Sequence, residues 1–459
     1  MIKGYRKKNY ISAISIAVLL LVISFLILQN GKTKNSNGIV ILTFGINLIF
    51  FFALLIRSIK QNSFSLDMMF WLFSFFFFGI APLLQYCTGI YNWNLSPSNS
   101  EIIVTNLFIL VFSLCYCIGN AIGKRSRIKQ QIVEFKIRKK RLNILLAFSF
   151  IITVFVLWKL GFRNLLSSST SSLSDSSSSI DLIMNHGLRN ISLFVVVMHI
   201  LYCKEKKHVS GNTIIATVLF VITCFPTSLS RNMLASFYGG LFIILLEKHR
   251  NKRLITYAII FGLVLVFPAI NVFRYIFETE QSNLLISMVN NIRNTYTEAH
   301  YDAHQMFISI QQYTNKFGFS YGKQLLGVIL FFIPRSVWPG KPYGTGQTAF
   351  TMLAQHEFTN VAAPLVSEGY VNFGIIGIII LGFFVGMFTA RIDKRYWAKK
   401  LPQGPLRVIY PFVMFKFFFI LRGDLLSSWS YTVAQIVIGL LAFWFCTKKT
   451  RCNILSLLS

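Results

Sequence analysis

Charged residues are scarce in this sequence. They make up 13% of its 459 residues, against roughly 25% in soluble domains. Acidic residues are the rarer of the two signs, with 15 Asp and Glu against 45 Lys and Arg. A chain of this size with so little charge lacks the polar surface of a soluble protein, and the composition therefore excludes the soluble globular class.

Motifs for the common soluble chemistries are also absent. The seven cysteines form no C-x-x-C pair, which argues against a disulfide framework or a zinc site. The sequence has no Walker motif, dinucleotide fingerprint, G-x-S-x-G or H-E-x-x-H, and the glycines of 340–346 indicate a flexible turn. His300 and His304, beside Glu298 and Asp302, have the spacing of zinc ligands, but no third ligand is evident. We therefore expect a solvated polar helix face there, and we predict no metal and no cofactor.

Long apolar runs are abundant. Apolar residues account for 54% of the chain, and several runs reach the ~20 residues that a helix needs to cross a bilayer. The pattern predicts one membrane-embedded domain over residues 1–459, an all-α polytopic membrane protein with about 12 transmembrane helices. The predicted segments are 10–29, 39–56, 68–90, 102–122, 143–160, 190–203, 212–228, 233–247, 254–272, 368–390, 408–421 and 430–447.

Lysines and arginines concentrate in alternate loops between these segments. The densest cluster is GKRSRIKQQIVEFKIRKKR, residues 123–141, and short basic loops of this kind stay in the cytoplasm. This orientation places both termini in the cytoplasm and most acidic residues on the outer side. The net charge of +30 is thus a topology signal, and we predict no binding of nucleic acid.

Two segments on the predicted outer side are long enough to carry function. Residues 161–189 form a smaller loop with the serine-rich stretch SSSTSSLSDSSSS. Residues 273–367 form a large loop whose apolar run LLGVILFFI, residues 325–333, is too short to span a bilayer. We predict a re-entrant or interfacial helix there. It ends at FFIPRSVWPGKPYG, residues 331–344 (the proline loop), where three prolines prevent a continuous helix.

Few cations lie on the predicted outer side. Ionisable groups at membrane depth are costly and normally face a cavity or one another. Several guanidinium groups at one face suggest an anionic ligand: phosphate, pyrophosphate or carboxylate. Two alternatives stay open, namely side chains that only reach lipid headgroups and a local ion pair of Arg422 with Asp424. The outer cations are Arg231, Arg274, Arg335, Lys341 and Arg422.

The stretch PLVSEGYVNFGIIG, residues 364–377, lies where the large loop returns to the bilayer. It places Glu368, Tyr370 and Asn372 at that point, and its glycines allow close approach of the backbone. A carboxylate that is partly desolvated there is either a tuned general base or a partner that holds an arginine in place. The residues alone leave both roles open.

FFIPRSVWPGKP and SEGYVNFGIIG occur in this order, about twenty residues apart. Together with the serine-bearing outer loop, SLSRNML in mid-chain and LRGD near the end, they resemble the O-antigen polymerases. These are the Wzy-type polymerases of oligosaccharide repeat units in the bacterial inner membrane. The resemblance implies a multi-spanning glycosyltransferase with a GT-C-like fold, in which residues 273–367 and 161–189 are periplasmic loops.

The resemblance also implies a reaction. The chain would join oligosaccharide repeat units carried on undecaprenyl pyrophosphate, as both donor and acceptor, and release undecaprenyl pyrophosphate at the periplasmic face without a cofactor. A chain-length regulator and a flippase of the same pathway are the implied protein partners. The alternatives are an O-antigen ligase that uses the same donor, and a twelve-span transporter of lipid or polysaccharide.

Roles for single residues follow from the same resemblance. Arg231, Arg335 and Arg422 match arginine positions of the family, and Glu368 matches its acidic residue at the end of the loop. The aromatic side chains would stack on sugar rings, although an interfacial aromatic belt explains them equally well. The expected substrate-binding residues are Lys341, Arg274, Trp338, Tyr343, Tyr370, Asn372 and Asp424.

Overall fold

The computed structural model of the chain describes residues 2–29, 33–127, 133–160, 187–267, 294–353, 361–398 and 404–451, most of which are helical. Two short turns of 3-10 helix, Thr295–Thr297 and Ala299–Tyr301, precede α10. The helices are α1 (Ile2–Leu28), α2 (Gly38–Gln61), α3 (Leu66–Thr88), α4 (Asn99–Arg125), α5 (Lys139–Leu160), α6 (Arg189–Lys206), α7 (Gly211–Thr223), α8 (Arg231–Leu245), α9 (Leu254–Val266), α10 (Ala303–Phe317), α11 (Lys323–Ile329), α12 (Thr345–Met352), α13 (Leu365–Trp397), α14 (Pro405–Arg422) and α15 (Leu425–Cys446).

Five of these helices, α2, α3, α4, α13 and α15, are long and apolar enough to cross a membrane. Helices α7, α8 and α9 and the part of α1 from Ala13 onward are apolar but shorter. The chain is therefore an all-α membrane protein, as the sequence predicts. Each of the twelve predicted segments coincides with a helix over most of its described residues, although some, such as 212–228, run past the helix end, here Thr223. Their number as true spans and the GT-C-like fold stay predictions.

Helices α4 and α13 pack closely because both carry small residues at the contact. Each contains a G-x-x-x-G pair, at 119–123 in α4 and at Gly382 and Gly386 in α13. A Cβ on Gly382 would press on the backbone of Phe112, and a Cβ on Gly386 would overlap the carbonyl oxygen of Tyr116. The contacts advance in the same direction on both helices, so α4 and α13 are parallel. Only glycine permits this backbone approach.

Both helices of this pair end in cations. Lys124 and Arg125 lie in the last turn of α4, and Lys394 and Arg395 in the last turn of α13. The Lys394 ammonium donates to the carbonyl oxygen of Lys124 at 2.6 Å, which ties the two helix ends together. We call this the basic end of the bundle, and the opposite end, where residues 294–353 pack, the loop end.

A buried carboxylate organises the basic end. Asp393 of α13 accepts hydrogen bonds from the first two amides of α3, those of Leu66 at 3.0 Å and Asp67 at 3.1 Å. The Tyr410 hydroxyl of α14 donates to the same carboxylate at 2.6 Å. Asp393 thus caps α3 from another helix and joins three helices, since the first amides of a helix have no partner within it.

Asp67 completes this network. Its Oδ1 accepts from Trp71 at 3.1 Å, from Tyr116 at 3.2 Å and from Asn120 at 3.2 Å, while Lys124 lies 3.5 Å from Oδ2. Four donors surround one carboxylate, so its burial among apolar helices is compensated.

A small sheet closes the basic end. Strands β1 (Val133–Ile137) and β2 (Thr447–Arg451) pair antiparallel, with Phe135 opposite Lys449. The pairing joins the basic loop before α5 to the residues that follow α15. Local sequence gave no signal for it, because its two strands are more than 300 residues apart in the chain.

The polar helix α10 is buried at the loop end, which corrects the expectation of a solvated helix face around His304. His304 is 3% exposed, and its Nε2 lies 3.0 Å from Asn106 Oδ1 of α4. Gln311 donates to Thr105 at 2.7 Å, also on α4. Gln305 donates to Gln85 of α3 at 2.9 Å. The polar side chains of α10 are satisfied by neighbouring helices rather than by water, so the helix is inserted into the bundle.

Candidate active site

The proline loop folds around the ammonium group of Lys341. This ammonium donates to the carbonyl oxygens of Phe331 at 2.6 Å and Ile333 at 2.9 Å, which lie just after α11. The amides of Trp338 and Lys341 close tight turns onto Pro334 and Trp338, each at 3.0 Å. Lys341 thus satisfies carbonyl groups that a continuing helix would have paired.

Arg335 braces the other half of the loop. Its guanidinium donates to the carbonyl oxygens of Lys341 and, at 3.0 Å, of Pro342. The same group lies over the Tyr343 ring, 3.8 Å from its centroid. This cation–π contact and the two hydrogen bonds fix the plane of the guanidinium. Arg335 remains partly exposed and Tyr343 is 55% exposed, so the pair is accessible at the surface of the loop end, with half-buried Trp338 in the same loop.

The apolar run before the proline loop is only partly helical. Helix α11 ends at Ile329, and turns continue to Ile333. Ile329 is 65% exposed and Phe332 67% exposed, while Val328 is buried. An exposed apolar side of this kind suits lipid contact, so the interfacial alternative of the sequence prediction remains our proposal for this run.

Glu368 is buried in α13, 1% exposed, below the proline loop. Its Oε2 accepts from the Thr345 hydroxyl at 2.8 Å and its Oε1 from the Leu425 amide at 3.2 Å. Thr345 is the first residue of α12 and immediately follows the proline loop, whereas Leu425 begins α15. One carboxylate therefore holds the loop and two membrane helices together.

A break in α13 sets the position of Glu368. Phe373 and Gly374 leave the helical conformation, and Gly374 has φ of 60°, which glycine adopts without strain. A Cβ on Gly369 would lie 2.7 Å from the carbonyl oxygen of Gly377, although residues eight apart in a straight helix are about 12 Å apart. The first two turns of α13 thus fold back on the rest of the helix, and Glu368 lies in the folded-back part.

Asn372 and Tyr370 lie in the same folded-back part. Asn372 donates to the Glu368 carbonyl oxygen at 2.7 Å and accepts from the Ser320 hydroxyl at 3.0 Å. Tyr370 is 9% exposed and packs against the rings of Phe108, Phe307 and Phe319. Asn372 therefore ties the break to the outer segment, and Tyr370 anchors the folded-back part in the apolar core.

Asp424 is the second carboxylate of the site. It caps α15 by accepting from the Leu426 amide at 3.0 Å, and it accepts from the Gly346 amide of α12 at 3.4 Å. A Cβ on Gly344 would collide with this carboxylate. Glycine at 344 is needed because of this contact, which explains part of the glycine cluster that the sequence analysis treated as a flexible turn.

Arg422 pairs with Asp302 and not with Asp424, which corrects one alternative from the sequence. Its Nη2 donates to Asp302 Oδ1 at 3.1 Å and to the Ala299 carbonyl oxygen at 3.0 Å. Trp93 donates to the other Asp302 oxygen at 2.9 Å. Burial raises the pKa of Asp302, although Arg422 acts against this shift. Asp424 instead faces its own helix start and α12.

Arg231 approaches the same turn from α8. Its guanidinium carbon lies 4.8 Å from the centroid of the Phe267 ring. Burial raises the pKa of Glu298, and the nearby charge of Arg231 opposes that shift. Arg231 and Arg422 therefore both serve the turn at 298–302. Arg274 lies outside the described residues.

A family model, O-antigen polysaccharide polymerase Wzy, matches residues 10–451, nearly the whole chain. The chain belongs to the Wzy family. No curated protein and no solved structure matches it. It is thus a multi-pass membrane protein of a polymerase family whose substrates are lipid-linked oligosaccharides.

The Wzy candidate site is made of three adjoining groups. The proline loop carries Arg335, the carboxylates Glu368 and Asp424 receive the start of α12, and Arg422 pairs with Asp302. The first group is joined to the second by one chain step, from Gly344 to Thr345. The second is joined to the third through Gly423.

Sequence reasoning missed two members of this Wzy site. Thr345 carried no motif, and its role depends on a partner 23 residues away. Asp302 was considered only as a metal ligand, while its actual partner is 120 residues away. The only sequence signal for Thr345 is its position directly after the proline loop.

Proposed function

We propose that this protein is an O-antigen polymerase that joins undecaprenyl-pyrophosphate-linked oligosaccharide repeat units at the loop end, on the periplasmic face of the bacterial inner membrane. The basic end, with both termini, lies in the cytoplasm. The observation that carries the proposal is the junction at Thr345. There the loop that presents Arg335 passes directly into a helix whose first residue donates to Glu368. A cation for a pyrophosphate and a buried carboxylate therefore belong to one rigid unit.

The geometry divides the reaction between these groups. The bond between the donor sugar and its pyrophosphate oxygen breaks, and negative charge grows on the leaving undecaprenyl pyrophosphate. Arg335 stabilises that charge, with Arg231 and Arg422 as further cations at the same end. Arg274, which lies outside the described residues, is assigned the same role from the sequence alone. A hydroxyl of the acceptor unit forms the new glycosidic bond and gives its proton to Glu368.

Lys341 has a different role in this proposal. Its ammonium is already bonded to two carbonyl oxygens of the loop, so it holds the conformation that presents Arg335. Trp338 and Tyr343 offer rings at the surface of the same loop for contact with sugar faces. Asn372 and Asp424 position Glu368 and α12. A chain-length regulator and a flippase are the partners that such a reaction would use.

The first test replaces Arg335. We expect Arg335→Ala to lower polymer formation by about 100-fold, as for loss of one charge-stabilising donor. We expect Arg335→Lys to fail nearly as badly, because an ammonium cannot span both loop carbonyls and still fork a pyrophosphate. The measurement is the ladder of products formed by purified protein from lipid-linked repeat units without nucleotide.

The matched control is Lys323→Ala, which removes an exposed cation of α11. It should leave the ladder unchanged. Normal ladders from either Arg335 variant would overturn the role of Arg335. The same preparation given lipid A–core as acceptor distinguishes the ligase: transfer of single units to that acceptor, without ladders, would overturn the polymerase.

A further inference from the structure

Lys416 is a buried cation that the proposed reaction does not use. It lies in α14 and is 2% exposed. Its ammonium is 5.7 Å from the centroid of the Phe419 ring, about one turn nearer the loop end. It forms no ion pair and no hydrogen bond with any residue that the structure describes. A cation inside a membrane bundle is costly without a partner, and such residues normally face a ligand or a counter-charge.

Polar side chains also line the buried face of the neighbouring helix α15. Ser428, Thr432 and Gln435 are 0%, 2% and 1% exposed, and their spacing puts them on one face of the helix. The Ser428 hydroxyl has no hydrogen-bond partner among the described residues. Gln435 Oε1 accepts from the Ser236 hydroxyl at 3.2 Å, whereas Gln435 Nε2 has no acceptor in the described part of the chain.

Lys416 and this polar face lie at the same depth. The Ser236 hydroxyl is 3.3 Å from the Phe412 carbonyl oxygen of α14 and 3.2 Å from Gln435 of α15, so these two residues are level. Helices α14 and α15 are antiparallel neighbours joined by a two-residue turn. One helical turn from Phe412 toward the loop end is Lys416, and one turn from Gln435 in the same direction is Thr432.

We propose that Lys416 and Gln435 form a binding site for an anionic phosphate-class group inside the bundle. Both side chains can donate hydrogen bonds. Among the described residues the Gln435 amide nitrogen has no acceptor, and the Lys416 ammonium has no ion pair. An anion with several oxygen acceptors supplies the missing partners and the counter-charge together. This site lies about 9 Å below Arg422 along α14, since six residues separate the two positions. It is therefore distinct from the Arg335 loop.

Phosphate oxygens reach such a site from two sources, a soluble phosphate or a lipid headgroup. The experiment uses full-length protein in maltoside micelles and titrates inorganic pyrophosphate in one arm and phosphatidylglycerol in the other. Both arms use Arg335→Ala protein, so that pyrophosphate bound at the proline loop does not contribute. Binding to the Arg335→Ala protein is measured by calorimetry. The measurement is then repeated with Lys416→Met introduced as a second substitution in the same protein.

We expect Lys416→Met to weaken binding at least tenfold in the arm that carries the true source. Lys323→Met, the exposed control, should change neither arm. Without ligand, Lys416→Met should unfold at the same or a higher temperature, because an uncompensated buried charge is removed. A purely structural lysine would give the opposite result, with lower stability and unchanged binding.

Further outcomes decide the proposal where this variant gives no folded protein. Gln435→Leu then replaces Lys416→Met, and we expect it to weaken binding about threefold, as for loss of one neutral donor. Unchanged affinity in the variant, or no binding of either probe by the Arg335→Ala protein, overturns the anion site. Because the proline loop is already disabled in all of these proteins, that result would leave the proposed polymerase reaction untouched.

Discussion

Helix α13 carries a buried carboxylate near each end, and the two differ in what surrounds them. At the basic end, Asp393 accepts from Leu66, Asp67 and Tyr410, which all belong to bundle helices or their first residues. At the loop end, Glu368 accepts from Leu425, which begins a bundle helix, and from Thr345, which belongs to the outer segment. The basic end joins helix to helix, whereas the loop end joins helix to loop.

Under the proposed function, this difference separates a structural carboxylate, Asp393, from a functional one, Glu368, within the same helix. Both oxygens of Asp393 accept hydrogen bonds from bundle helices, so we infer that this carboxylate stabilises the fold. Glu368 depends on a donor that follows the loop presenting Arg335. Residues that act on a substrate are normally carried by loops placed on a rigid scaffold, and of the two carboxylates only Glu368 is bonded to such a loop segment in the described part of the chain.

The largest expected effect comes from exchanging the two carboxylates for amides one at a time. We expect Glu368→Gln to lower the rate of polymer formation by about 100-fold or more, because an amide cannot accept the acceptor proton. Its unfolding temperature in micelles should change by only a few degrees. We expect Asp393→Asn to reduce the free energy of unfolding by about 2–3 kcal/mol, because replacing one carboxylate oxygen by an NH2 group leaves one buried amide of α3 without an acceptor.

The readout is the rate per folded molecule, together with the unfolding temperature. Asp393→Asn should keep a normal rate per folded molecule, which makes it the matched control for Glu368→Gln. If both variants lose stability and keep activity, Glu368 is as structural as Asp393 and the comparison collapses.

The second prediction tests the junction between loop and carboxylate. We expect Thr345→Val to lower polymer formation about tenfold, the effect of losing one hydrogen bond to a charged acceptor. Thr345→Ser keeps the hydroxyl and should retain nearly normal activity. Both are compared by ladder formation at equal amounts of folded protein. Equal activity of the valine and serine variants would show that Thr345 does not position Glu368.

The features that could be predicted from the sequence are those written along one stretch of chain. Apolar runs marked the helices. The prolines from Pro334 onward marked a segment without a continuous helix, although α11 already ends at Ile329. Cations clustered at 123–141 marked the basic end. Each of these signals acts through local length, charge or backbone restriction, and therefore needs no knowledge of the fold.

What could not be predicted depends on partners far apart in the chain. Asp393 lies among the cations of RIDKRYW and gave no hint of its bond to Leu66, 327 residues away. The burial of α10 was also missed, because a polar helix reads as solvated unless its partners on α3 and α4 are known. The glycine-rich sequence around Gly344 predicted a flexible turn, but the absence of a side chain at 344 is required by the neighbouring Asp424 carboxylate.

The smallest expected effect concerns His304, a buried titratable group of the loop end. Burial lowers its pKa to about 3, against about 6.5 for an unfolded histidine. Below pH 6.5 the His304 side chain therefore binds a proton in the unfolded chain, whereas it stays neutral in the folded chain until the pH approaches 3. Stability from this residue is fully present above that pH and is lost as pH falls toward 3. At pH 5 the loss amounts to about 2 kcal/mol in the free energy of unfolding.

His304→Gln isolates this contribution, because glutamine can still donate to Asn106 but does not titrate. The difference in unfolding free energy between pH 7.5 and pH 5 should shrink by about 2 kcal/mol in this variant. His208→Gln, at an exposed position, should leave it unchanged. The other buried groups at the loop end, such as Asp302, contribute equally to all three proteins and cancel. Parallel pH curves for wild type and His304→Gln would mean that His304 takes up a proton in the folded protein. Helix α10 would then not be sealed into the bundle, despite the 3% exposure of His304.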